Sequence, residues 1–325
     1  MAPVGRPRRG VAVSGPHQVA LADIAPLNQV FSDAFSERYR RDGMVGVRVP
    51  FLNPAIWRYA VEGAGGGAML WRDDRGRIVA FNIAHHSGVE GWMGPLAVRP
   101  DAQEAGLGRQ IVMAGVDWLE RCGARVIGLE TMPRTMDNIG FYSVLGFEPE
   151  RLTITVTLPA SMRQRPGMLL GRLPAAERGE WIERCRDLVA SVRPGYDFSR
   201  EIHLTDNLAL GDTLLLVDGD ELRGFAVYHT APLVEGRMRE ELRVLKLVAA
   251  SMDDMDTMLP QLADHAARSG TRQVALRVQG QFGDLYRRLM NMGARVRWTD
   301  LRMTYRGHPE PPLARAGVVL SNWEI

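Results

Sequence analysis

The residues best placed to do chemistry run from Leu96-Ala97-Val98 through Arg99-Pro100-Asp101-Ala102 to Gln103-Glu104-Ala105-Gly106-Leu107-Gly108-Arg109. An apolar strand ends in a turn with one proline, and two glycines then open a helix. Glycine lets backbone approach a ligand closely. A helix start offers unsatisfied N–H groups and the positive end of a dipole. Such a place suits an anion, a pyrophosphate above all. A turn that merely needs flexible residues would use the same letters, and the dinucleotide fingerprint is incomplete because no third glycine follows where it is required. Further on, Asn138-Ile139-Gly140-Phe141-Tyr142-Ser143-Val144-Leu145-Gly146-Phe147 sets a phenol, Tyr142, on a short helix.

The elements that would hold these residues alternate in the manner of a mixed α/β domain. The pattern predicts a strand over 18–21, helices over 23–40 and 54–63, and strands over 68–72, 77–85 and 89–99. The strands are separated by Asp73-Asp74-Arg75-Gly76 and Ser87-Gly88, good hairpin chemistry. Next come a helix over 106–121, a strand over 125–131, a helix over 136–145 and a closing strand over 152–158. The helix over 106–121 has Leu107, Ile111, Ala114, Trp118 and Cys122 spaced for one buried face. Pro159 to Pro166 interrupts the pattern, and the same order then returns. Matching Gly293 to Gly146 makes the chain a tandem duplication. The expected divisions are a tail over 1–16, a first domain over 17–158, a linker over 159–168, a second domain over 169–308 and a C-terminal tail over 309–325.

In this context the element Gln103-x-x-Gly106-x-Gly108, preceded by Leu96-Ala97-Val98 and followed by an amphipathic helix, resembles the acyl-CoA site of the GNAT superfamily of N-acyltransferases. The helix bearing Tyr142 ahead of Gly146-Phe147 resembles that family's late helix. The resemblance covers about residues 17–158 and implies an α/β fold with a mixed sheet flanked by helices, here as two tandem GNAT-like domains. It implies acetyl-CoA as co-substrate, with no metal. Backbone of Leu96, Ala97 and Val98 would bond the pantetheine arm beside a bulge near Met93 to Leu96. Gln103, Glu104, Ala105, Gly106, Leu107, Gly108 and Arg109 would cradle the pyrophosphate, with Asn138 nearby, and Tyr142 would protonate the departing thiolate. Two departures are Glu104, where a glycine is common, and Thr135, where an asparagine is.

An amine acceptor must lose a proton, since an ammonium with pKa near ~10.4 is mostly charged at neutral pH. A carboxylate or histidine normally takes it, directly or through water. Glu90, on the strand leading to the bulge, is the first candidate; His85 and His86 come second, and Glu130 third. The alternative for each is an exposed hairpin residue. The second half keeps the fold signals without the site: Ala250-Ser251-Met252-Asp253-Asp254-Met255-Asp256 replaces the glycines with three carboxylates that would repel phosphate. It reads as a degenerate copy.

Composition agrees with an ordinary soluble protein. The 325 residues suit two domains, and 46% hydrophobic and 24% charged residues exclude wholesale disorder. A net charge of +2, from 40 Lys+Arg and 38 Asp+Glu, argues against coating nucleic acid. Only one of those cations is lysine, Lys246. Cys122 and Cys185 fit no disulfide or metal pattern and read as buried or half-buried thiols. No apolar run is long enough to span a membrane, and no targeting segment is visible. The resulting expectation is a cytoplasmic N-acetyltransferase acting on a small-molecule or peptide amine, with neither nucleic acid nor membrane as partner and a homodimer open. The alternative is a non-catalytic acyl-CoA-binding regulatory module.

Overall fold

The computed structural model describes residues 12–103, 106–162, 167–313 and 316–324. The first half runs β1 (Val13–Gln18), α1 (Ile24–Arg41), α2 (Pro54–Ala64), β2 (Ala68–Asp73), β3 (Ile78–Ser87), β4 (Glu90–Val98), α3 (Leu107–Arg121), β5 (Val126–Thr131), α4 (Met136–Val144) and β6 (Phe147–Pro159). The second runs β7 (Met168–Leu169), α5 (Ala175–Val192), α6 (Ser199–Asn207), β8 (Gly211–Asp218), β9 (Glu221–His229), β10 (Glu241–Ala249), α7 (Met252–Arg268), β11 (Gln273–Gln279), α8 (Gly283–Asn291), β12 (Arg295–Tyr305) and β13 (Val318–Ser321). Most bounds fall within a few residues of those the periodicity predicts. The first strand lies earlier than expected and begins inside the supposed tail. α6 and β13 were not expected at all.

The sheet follows the order β1-β2-β3-β4-β5-β12-β6-β11-β10-β9-β8-β7, with β13 paired to β10. β5 and β11 hold the same place in the two halves, as do β6 and β12. In space their neighbours are exchanged: β12 pairs antiparallel with β5, and β6 pairs antiparallel with β11. β6 and β12 also pair with each other, which welds the halves into one sheet. The expected closing strand of the first domain therefore closes the second.

Helices cover both faces, as the many fully apolar strand residues require. α1 and α2 bury Leu27, Phe31, Ile56 and Trp57 against one face. α3 buries Leu107, Ile111, Val112, Val116 and Leu119 against the other. That stripe is rotated from the predicted one. Ala114 and Trp118 are only half-buried, and Cys122 is exposed at the helix end, whereas Cys185 is buried as expected. Close approach of α3 to the sheet depends on Gly115: a Cβ there would sit 2.4 Å from Asn82 Nδ2 and from Met93 Sδ.

Each half contains a fork. β4 pairs in parallel with β5 only from Glu90 to Met93; beyond that the strands part. At this point Gly94 and Pro95 together face the single residue Ile83 of β3, which is the expected bulge. β10 likewise pairs with β11 only over Glu241–Arg243, and its ladder with β9 is irregular between Val244 and Lys246. The second fork is filled. β13 lies antiparallel to Lys246–Ala249 along the edge that β11 has left, and Gln279 of β11 donates to the Ser321 carbonyl at 3.3 Å.

Candidate active site

The first fork opens into a cleft of about 620 Å³. Its floor is Met93 to Val98; one end is the start of α3, and the other lies under β12 and the C-terminal segment. Leu96, Ala97 and Val98 bond to β3 on one side and leave their other edge toward the cleft. The Gln103 side chain donates to the Val98 carbonyl at 3.0 Å, tying the turn to the strand.

Gly106 begins α3 in the left-handed region, φ 77°, with no side chain capping the helix. Only glycine adopts that geometry without cost. A Cβ at Gly108 would meet the Phe141 ring at 3.3 Å, so the helix start and α4 approach closely. The side chain of Leu107 goes into the core, leaving only its backbone N–H for a ligand, while Arg109 stands exposed on the rim. Arg38 and Arg41 of α1 also line the cleft. Glu104 and Ala105 lie outside the described residues. The glycines, the uncapped helix start and the unpaired strand edge fit the elongated phosphate-bearing molecule that an acyl-CoA is.

Asn138 and Tyr142 of α4 line the middle of the cleft. Tyr142 is buried between Phe141 and Phe147, ring centroids 5.2 Å and 6.0 Å away. Burial pushes its hydroxyl well above the usual phenol range, so the proton stays on oxygen until a stronger base arrives.

The four proposed proton acceptors fare differently. Glu90 does not reach the cleft. It is fully buried, with Oε1 accepting from Trp323 Nε1 at 2.9 Å and Oε2 from Ser321 Oγ at 2.6 Å, and Lys246 Nζ 3.5 Å away. Three donors use up the carboxylate, so its work is to anchor the C-terminal segment. His85 is stacked on Trp92 and buried; burial, then Lys246, lower it to about 3, and it lines only a small cavity behind the cleft. His86 is lowered by burial and by Arg200 and also lies off the cleft. Glu130 does line the cleft. Burial alone would raise it, but Arg277 at 2.6 Å, Arg302 at 2.9 Å and the Thr153 hydroxyl outweigh that and hold it at about 2. A carboxyl so acidic takes protons poorly at neutral pH.

Residues that no motif marked complete this end: Tyr39, Trp298, Asp300 and Glu324. They come from α1, β12 and the C-terminal segment, and the exchanged position of β12 together with the path of the chain after β13 brings them together. In the second half the start of α7 is closed instead. Ser251 caps it, accepting from Asp254 N at 3.1 Å, and Arg223 pairs with Asp254 at 3.1 Å.

Among the described residues no cluster of His, Cys, Asp or Glu is arranged to hold a metal ion, and no helix is long and apolar enough to cross a membrane.

Comparison with known proteins bears on this arrangement. No curated protein matches the chain in sequence. Among solved structures, a protein of Pyrococcus horikoshii assigned to the acetyltransferases is 14% identical, with a TM-score of 0.65 and coverage of 99% of this chain and 98% of that one. A GCN5-related N-acetyltransferase of Sphaerobacter thermophilus is 14% identical, TM-score 0.57, covering 93% and 97%. A tandem GNAT protein of the clavulanic acid biosynthesis pathway is 11% identical, TM-score 0.60, covering 92% and 100%. At these identities the likeness is one of fold, and it extends over both halves. The acetyltransferase (GNAT) family model matches residues 28–147, the stretch that contains the fork, the glycine turn and the Tyr142 helix with its Gly-Phe pair. Residues 28–147 thus match the acetyltransferase (GNAT) family, and the chain as a whole has the fold of two GNAT-like domains in succession, similar to that of the tandem GNAT protein.

Proposed function

We propose that the first half transfers an acetyl group from acetyl-CoA to a primary amine by direct attack in a ternary complex. The observation that carries this reading is the continuity of the cleft. A single channel joins the glycine-opened start of α3, the fork at Gly94 and the carboxylate-lined end beneath β12. The amides of Leu107, Gly108 and Arg109 hold the pyrophosphate, the free edge of Leu96 to Val98 holds the pantetheine, and Asn138 stands beside it. The thioester is thereby led past Tyr142, whose phenol protonates the leaving sulfur. Glu130, Asp300 and Glu324 make the far end favourable to a cation, as an amine is before it loses its proton. Positioning and the amides at the bulge supply most of the rate. Among the described residues no cysteine lines the cleft.

Coenzyme A release over a panel of small-molecule and peptide amines, with acetylated product identified by mass, tests the reading. Release matched by acetyl-amine supports it. Tight acetyl-CoA binding with no release on any amine would make the chain a binding module instead.

A further inference from the structure

The second fork and the first site are linked by one stretch of chain. After β13 has filled the fork between β10 and β11, the chain does not return to solvent. Asn322 N donates to the Leu245 carbonyl at 2.9 Å, at the irregular point of β10. Trp323 then enters the sheet beside β5. A Cβ on Gly128 would sit 2.4 Å from its ring, and Arg302 of β12 stacks over it at 3.8 Å. Its carbonyl lies against the bulge, 3.6 Å from where a Cβ on Gly94 would be. The next residue is Glu324. Its N–H donates to the Asn322 side chain at 2.9 Å, and its carboxylate lines the cleft with half of the side chain open to it.

We infer that Glu324 is the general base of the acetyl transfer, carried to the reacting end of the first cleft by the strand that fills the second. The inference rests on the acetyltransferase reading given above. Glu90, Lys246 and Arg302 are then positioning residues: Glu90 holds Ser321 and Trp323, Lys246 Nζ donates to Ser321 Oγ at 2.6 Å and to the Asn322 carbonyl at 3.3 Å, and Arg302 bonds the Ser321 carbonyl. None of the three faces the acceptor.

The charged groups around Glu324 come from several elements. Arg277 of β11 pairs with it at 2.8 Å, Asp300 of β12 and Glu130 of β5 repel it, and Arg243 of β10 and Tyr39 of α1 act from farther away. Across the small cavity behind it stand Lys246, Arg200, Glu201 and His85. Enclosure by the protein raises the carboxyl, Arg277 opposes, and the two carboxylates add to the rise, to about 7. The open half of the side chain moderates the first contribution without reversing the sign.

In the reaction Glu324 accepts the proton whose loss makes the attacking nitrogen neutral, and passes it to water through the open side of the cleft. The nitrogen then forms the C–N bond as the C–S bond breaks. Its second proton is lost to solvent while Tyr142 protonates the thiolate and is itself reprotonated. The net change is ammonium plus thioester to amide, thiol and one released proton.

The test compares the full-length chain with E324Q, an isosteric change that keeps a partner for Arg277. For the natural enzyme kcat/KM for the amine should rise with pH through an acid limb near the Glu324 pKa. In E324Q, kcat should fall by about 10²–10⁴-fold and that limb should vanish, with acetyl-CoA affinity and melting temperature unchanged. Full activity with the limb intact would overturn the assignment while leaving the acetyltransferase reading standing. A titration independent of turnover separates the two. With carboxyl-¹³C glutamate, the resonance missing from E324Q should titrate near neutrality; titration below about 5, the ordinary glutamate range, would overturn the assignment whether or not any amine reacts.

Discussion

At position 108 a side chain would crowd its neighbour and the ligand's place. The Phe141 ring lies 3.3 Å from the point a Cβ would occupy, on the face where a pyrophosphate would meet the start of α3. Gly108→Glu should therefore abolish acetyl-CoA binding by calorimetry, through bulk and like charge, while the melting curve stays near normal. Tyr142 makes a different prediction. Tyr142→Phe keeps the packing against Phe141 and Phe147 and removes only the proton donor. Turnover should drop by about tenfold or more with acetyl-CoA affinity little changed; full activity would make Tyr142 a packing residue. Residues of this kind are legible in a sequence because their work is local: a glycine turn and a helix start act through backbone that adjoins them. Glu324 is not legible. Nothing near it in sequence distinguishes it from an ordinary surface carboxylate, and its environment is assembled from β5, β10, β11 and β12. Glu90 misleads for the same reason, since the donors that occupy it arrive from the far end of the chain.

Among the elements, strands and helices follow their apolar periods closely, because those periods reflect which face each element buries. The pairing of strands does not follow from them. β6 is equally apolar whether it meets β5 or β11, and the period holds no information on which. β13 is only the run Val318–Ser321 after Gly317, too short for a periodic signal. Its importance can be measured through a residue it never touches. Gly128→Val would drive a side chain into the Trp323 ring, at a cost of about 1–3 kcal/mol for overpacking, and push the C-terminal segment away from the bulge. Turnover should fall steeply while acetyl-CoA affinity stays within a few-fold, because the glycine turn and α4 are not disturbed. Equal losses in both would mean that the segment supports the cofactor end as well.

For the whole molecule, the two forks predict a stoichiometry. The first is open and has an uncapped helix start beside it; the second is filled by β13, and its helix start is capped by Ser251 and surrounded by carboxylates. Titration of the intact chain with acetyl-CoA should saturate at one equivalent. Two equivalents would mean that β13 yields its place to ligand. The three aspartates after Ser251 make the expectation of a single site readable in the sequence, whereas the filling of the second fork by the chain's own strand is not. The exchange of β6 and β12 also sets the order in which the molecule can be made. When the first half has left the ribosome, β5 has an unpaired edge and β6 has no partner, because Val156 must wait for Leu276 and Leu129 for Met303. The early half cannot finish folding on its own. It keeps an open sheet edge, a surface prone to pairing with the wrong chain, until β11 and β12 of the second half emerge. In a protein joined in this way neither half has a finished sheet of its own, and the cleft takes its walls from both.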